Sequence, residues 1–187
     1  MFGRLLRRAT PEDAIATRVY GAIVAQARNP FFYSDLGVPD TVTGRFEMVV
    51  LHAVLFLDRL RGDDREKALG QKIFDLYCVD MDRSLRELGI GDLGVPKRMR
   101  KMTEAFYGRT RAYRAGLASG DAAVLAAAIA RNVFAGEGAQ GAGPLAAYTL
   151  ASAGALAGTP TAALLAEPRF ADVAAFVVAD AHAGAVA

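Results

Sequence analysis

The chain holds one cysteine, no tryptophan and two histidines in 187 residues. The single Cys78 excludes an intrachain disulfide and a multi-cysteine zinc site, and it fits a reducing compartment. Neither His52 nor His182 has a second histidine three or four positions on, so the clustered donors of a zinc or non-haem iron site are missing. No run of about 18 apolar residues occurs, and no membrane-spanning helix is expected. The Ala-rich stretch 144–166 comes nearest, but Gly154, Gly158 and Pro160 interrupt it. The start, Met1 to Arg8, is basic and lacks the apolar core of a secretory signal. Phe2, Leu5 and Leu6 among its arginines read as a frayed terminus before they read as a membrane anchor. Strand alternation and internal repeats are also missing.

What remains is helical and rich in alanine. The hydrophobic share is 53%, ample for a core, although alanine buries little area and chiefly favours helix. The length suits one domain. The formal charge of +2 is unevenly spread. Residues 1–115 carry 20 Lys+Arg against 15 Asp+Glu, whereas residues 116–187 carry 2 against 5. The stretch 97–114 alone has seven cations and one anion, Glu104. Such a stretch is a solvated helix face or a patch for an acidic partner, RNA or an anionic membrane.

Local signals divide the chain. Thr10-Pro11-Glu12-Asp13 starts a helix, with Thr10 as the cap and proline at the first position; it runs to about Arg28 and stops at Asn29-Pro30. Residues 30–40 read as a connector. Asp40 or Thr41 caps a second helix to about Arg61, with Phe46, Val50, Val54, Leu57 and Leu60 in its stripe. A third helix covers about 65–88, a fourth about 96–118 and a fifth about 121–134. Glycines 136, 138, 141 and 143 form a flexible link. Residues 144–187 are nearly uncharged and are expected to hold two or three short helices.

Constellations for chemistry are sparse. His52 is expected to be half-buried, and Cys78 with His52 lacks a third group to orient a nucleophile and base. Gly89-Ile90-Gly91-Asp92-Leu93-Gly94 has dinucleotide-loop spacing but follows a helix, so it reads as a helix cap plus turn. Asp80 and Asp82 are spaced like the magnesium-holding acids of helical prenyl-transfer enzymes, but no second acidic cluster accompanies them. Asp82 and Arg86, four apart, suit a surface pair. Asp80 sits at the edge of an apolar stripe and is expected to pair with Arg109 or Arg45 across the bundle. Phe31, Phe32 and Tyr33 either plug the core or form an exposed anchor for a partner chain.

Several motifs together resemble the ubiquinol–cytochrome c chaperone family. They are Gln26-Ala27-Arg28-Asn29-Pro30-Phe31-Phe32-Tyr33, Gly37-Val38-Pro39-Asp40-Thr41, Gly44-Arg45-Phe46-Glu47-Met48, Asp80-Met81-Asp82, Leu85 through Asp92, Val95 through Met99, and Phe106-Tyr107-Gly108-Arg109. The resemblance covers about residues 12–135 and is similar to a bacterial-type member. It implies a non-enzymatic assembly factor: mitochondrial members tend newly made cytochrome b, work with a small partner near the ribosomal exit tunnel and support respiratory complex III. It carries no motif beyond about residue 136.

The expected architecture is therefore all-α. A chaperone-like helical domain spans 1–136 and an Ala-rich helical extension spans 137–187. No cofactor and no metal is expected. The expected partner is a hydrophobic membrane-protein client, cytochrome b, with the basic stretch 97–114 meeting a ribosome or an anionic membrane surface. The expected location is cytoplasmic, peripheral at the inner face of the membrane. Candidate contact residues are Phe31, Phe32, Tyr33, Arg45, Glu47, Asp80, Asp82, Arg86, Glu87, Lys97, Arg98, Lys101, Phe106, Tyr107 and Arg109. Met48, Met81, Met99 and Met102 suit an adaptable lining. The rival readings are a ribosome- or RNA-binding module through 97–114 and a magnesium-dependent prenyl-transferase-like enzyme using Asp80 and Asp82.

Overall fold

The computed structural model describes residues 10–136 and 139–177. Phe2, Leu5 and Leu6 of the basic start, Gly138 and His182 lie outside the described residues. Helices dominate: α1 (Pro11–Ala27), α2 (Phe31–Ser34), α3 (Val42–Arg59), α4 (Asp64–Glu87), α5 (Val95–Ser119), α6 (Ala122–Asn132), α7 (Ala142–Gly158) and α8 (Thr161–Ala166). No strand occurs among the described residues. The fold is all-α.

The helix ends follow from the sequence. Thr10 accepts a bond from the Asp13 backbone while Asp13 accepts one from the Thr10 backbone, a reciprocal cap that satisfies two orphan amides of α1. Thr41, Asp63 and Asp121 cap α3, α4 and α6 one way only, each side chain accepting a single backbone N–H, from Gly44, Glu66 and Ala123. At the end of α4, Gly89 takes φ +80°. Its N–H reaches the Arg86 carbonyl, and the Ile90 N–H reaches the Leu85 carbonyl. That is the paired-bond helix stop which glycine permits, so 89–94 is a cap and turn as its position predicts.

α3 is the central helix. From Glu47 to Phe56 every residue is buried, because Val49-Val50-Leu51 and Ala53-Val54-Leu55-Phe56 leave no polar face. It packs against α1, α5 and α7, while α4 covers α1 and α5, and α6 bridges α5 to α7. Gly44 lets its first turn close onto the preceding segment: a Cβ there would sit 1.9 Å from the Pro39 carbonyl oxygen.

Three expectations are corrected. The connector 30–40 contains the short helix α2. The first helix after the glycine-rich link, α7, is 17 residues long, and Leu145, Ala146, Tyr148 and Leu156 sit in the same core as α1 and α3. His52 is fully buried, because the partners it needs come from its own helix and from α7. Its Nδ1–H donates to the Met48 carbonyl (2.8 Å), and the Tyr148 hydroxyl donates to Nε2 (2.8 Å) while accepting from Gln26 (3.0 Å). Burial pushes the imidazole down from 6.5 to about 4, so the ring is neutral at physiological pH.

Candidate binding groove

Side chains of α3, α4 and α5 line an open groove of about 500 Å³. Helical spacing builds its walls. α4 contributes Met81, Leu85 and Leu88, and the turn after it contributes Ile90. α3 contributes Val42, Phe46 and Val49. α5 contributes Arg98, Lys101, Met102, Ala105 and Arg109, which recur every three or four residues along one face. The basic run is thereby split: Arg98 and Lys101 line the groove, whereas Lys97 and Arg100 are exposed outside the lining.

Arg28, Arg45, Arg98, Lys101 and Arg109 edge the groove against two carboxylates, Glu47 and Asp80. Both carboxylates are already engaged. Glu47, 2% exposed, is gripped by Nε and Nη2 of Arg109. Burial raises the Glu47 carboxyl above its ordinary range even with Arg109 beside it. Asp80 accepts a bond from the Tyr20 hydroxyl (2.9 Å) and pairs with Arg83, its neighbour on α4. The expected pairing of Asp80 with Arg109 or Arg45 is therefore corrected. Arg109 turns to Glu47, and Arg45 pairs with Asp40 (2.5 Å) at the start of its own helix. Near the Glu47–Arg109 pair lie the buried hydroxyls of Tyr77 and Tyr113, neither with a hydrogen-bond partner among the described residues. Burial drives both phenols well above their usual range, so they stay protonated.

The remaining candidates separate. Phe32 is a core residue, edge-on to His52 (5.3 Å between centroids) and Tyr148 (5.0 Å), so it does not belong to an exposed anchor. Tyr33 is half-buried and donates to the Ala27 carbonyl (2.7 Å). Phe31 is 43% exposed. Tyr33 lines a second depression of about 480 Å³ that adjoins the groove and shares Arg28 and Arg45 with it. Phe106 is also in the core, packed on Phe74 and Tyr77 (5.0 Å each), while Tyr107 is exposed. Asp82 pairs with Arg86 (2.7 Å) as its spacing predicts, Arg86 also meets Asp92, and Glu87 is exposed. Asp82, Arg86 and Glu87 are outside the groove's lining.

Sequence reasoning missed Arg28, Val42, Leu88 and Ile90. The available signal was their place at helix ends, where Leu88 (55% exposed) and Val42 (61% exposed) extend apolar stripes into solvent. Asp80 and Asp82 turn to different arginines. Among the described residues no group of three or more His, Cys, Asp or Glu side chains is arranged to hold a metal ion. Both ring nitrogens of His52 are occupied, and burial raises the Cys78 thiol, so those two make no activated nucleophile. No helix among the described residues is long and apolar enough to cross a membrane. The arrangement can hold an apolar object under a cationic edge.

The family described as ubiquinol-cytochrome C chaperone matches residues 34–170, running across the glycine-rich link into α7 and α8. The ubiquinol-cytochrome-c reductase complex assembly factor 1 of Xenopus laevis is 30% identical over 120 residues, covering 64% of this chain and 60% of that protein. Its Mus musculus counterpart is 29% identical over 120 residues, covering 64% and 40%. The matched region thus spans 60% and 40% of these two relatives' lengths. The crystal structure of the Cbp3 homolog from Brucella abortus is 46% identical, covers 87% of this chain and 92% of that one, and superposes with a TM-score of 0.81.

Proposed function

The chain belongs to the ubiquinol–cytochrome c chaperone family, and from that membership we propose that it is a non-enzymatic assembly factor that holds a newly made hydrophobic membrane protein, cytochrome b of respiratory complex III. The family supplies the chaperone role. The names of the Xenopus laevis and Mus musculus relatives supply the link to the ubiquinol–cytochrome c reductase complex. The client is seated in the groove between α3, α4 and α5. One observation carries this: the groove is open, its floor is apolar, built from aliphatic side chains, two methionines and Phe46, and its charged groups are already paired or sit at the edge. A lining of this kind accepts the apolar face of a helix by burying area, and methionine adapts to its shape.

The test is binding of cytochrome b helix segments to the purified chain, with a photocrosslinker at position 88 in cells. Saturable binding lost in Leu88→Asp, together with crosslinks to a complex III subunit, is the expected result. Absence of both overturns the reading.

A second contact accompanies the first. Leu93, 99% exposed at the tip of the turn before α5, stands beside outward-facing Lys97 and Arg100. A bare leucine among cations supports the surface of an anionic membrane over a ribosome, and the reading is of a cytoplasmic protein held peripherally at the inner face.

A further inference from the structure

Resting on the groove reading, we infer that the segment it takes is an apolar helix carrying a carboxylate at the edge of its apolar face. The groove is unbalanced in charge. Its two acids are spent, Glu47 on Arg109 and Asp80 on Arg83 and Tyr20. Arg28, Arg98 and Lys101 have no side-chain hydrogen bond or ion pair among the described residues, yet all three line the same depression. Arg98 and Lys101 stand three apart on one face of α5 and line the same groove as Met102 of α5 and as Leu85 and Leu88 of α4 and its cap. Cations in a cleft with low-dielectric walls focus a positive potential on whatever enters. A wholly apolar helix fills the floor and leaves that potential unused. A helix with a lysine at the same place meets like charge. An acidic side chain next to the apolar face satisfies floor and edge together. A nucleic-acid strand satisfies the edge alone, because the floor is mainly aliphatic and methionine carbon with one ring, Phe46, and offers no row of stacking platforms.

Charge at this edge then sorts clients by sign, and apolar area supplies the bulk of the affinity.

The experiment uses the full chain and three fluorescent Leu/Ala helical peptides of about 20 residues, differing only in Glu, Gln or Lys at one end of the apolar face. Anisotropy titrations should show the Glu peptide binding about five- to tenfold tighter than the Gln peptide, the size of two partly exposed ion pairs, with Lys weakest. The preference should shrink between about 0.05 M and about 0.5 M salt. It should vanish in Arg28→Gln/Arg98→Gln/Lys101→Gln, whose melting temperature should match the parent. It should survive in Arg65→Gln/Lys67→Gln/Arg131→Gln, an equal charge change outside the groove. Equal affinity for Glu and Gln peptides, or a Glu preference that persists in Arg28→Gln/Arg98→Gln/Lys101→Gln, overturns the inference and leaves the groove reading standing. Binding of none of the three overturns both.

Discussion

Glu47 of α3 and Arg109 of α5 are 62 positions apart and meet through two parallel guanidinium–carboxylate bonds, with the carboxylate sealed from solvent and the guanidinium facing the groove. The pair ties the central helix to the groove wall. Because burial raises the Glu47 carboxyl, the intact pair is a weak source of stability at neutral pH, whereas a broken one is costly.

Arg109→Ala strands the Glu47 carboxylate in the core. Urea unfolding should show a loss of about 3–5 kcal/mol, and Glu47→Gln in the same background should restore part of it. An unchanged midpoint for Arg109→Ala would show that Glu47 reaches water.

Asp80→Ala should be milder, about 1–2 kcal/mol. Arg83 is an exposed partner, and the main loss is the acceptor of the half-buried Tyr20 hydroxyl. Tyr20→Phe combined with Asp80→Ala should cost little more than Asp80→Ala alone. Additive costs in a double-mutant cycle would argue against the contact.

His52 sets an acid limit. Its folded value of about 4 lies below the ordinary 6.5, so the unfolded chain takes up the proton first. The stability it protects is complete above about pH 6.5 and is lost as pH falls toward 4, amounting to about 3 kcal/mol over that window. Denaturant melts from pH 7 to pH 4 should show that extra decline in the parent and not in His52→Gln. Parallel curves for the two proteins would place the acid sensitivity elsewhere.

Gly44→Ala drives a methyl group into the Pro39 carbonyl, next in sequence to the groove residues Arg45 and Phe46. A loss of about 1–3 kcal/mol is expected from overpacking, with peptide binding weakened because Arg45 and Phe46 ride on the displaced turn. Gly143→Ala, with nothing within 4 Å of the added carbon, should leave both measurements in place.

Leu93→Ser with Lys97→Gln and Arg100→Gln should abolish cosedimentation with vesicles containing anionic lipid and leave the fold intact, since all three side chains are exposed. Equal sedimentation of parent and variant would remove the membrane contact. Retained, salt-sensitive association of the parent with ribosomes alone would move it to the ribosome.

The sequence by itself determined the helices and their ends, because caps, prolines and glycine stops act within a few residues. Thr10 with Asp13, the Asp82–Arg86 pair and the Gly89 stop stand where their spacing places them. Its motifs also carried the family. Tertiary structure alone decided which partner each long-range charge takes. Glu47 has Arg109, and Asp80 has Tyr20, because the rotation of α3 against α5 and of α1 against α4 aims each side chain. The same rotations turn Phe32 inward and bring Tyr148 of α7 to His52. They also point half of the basic run into the groove, and no local pattern records an angle between helices.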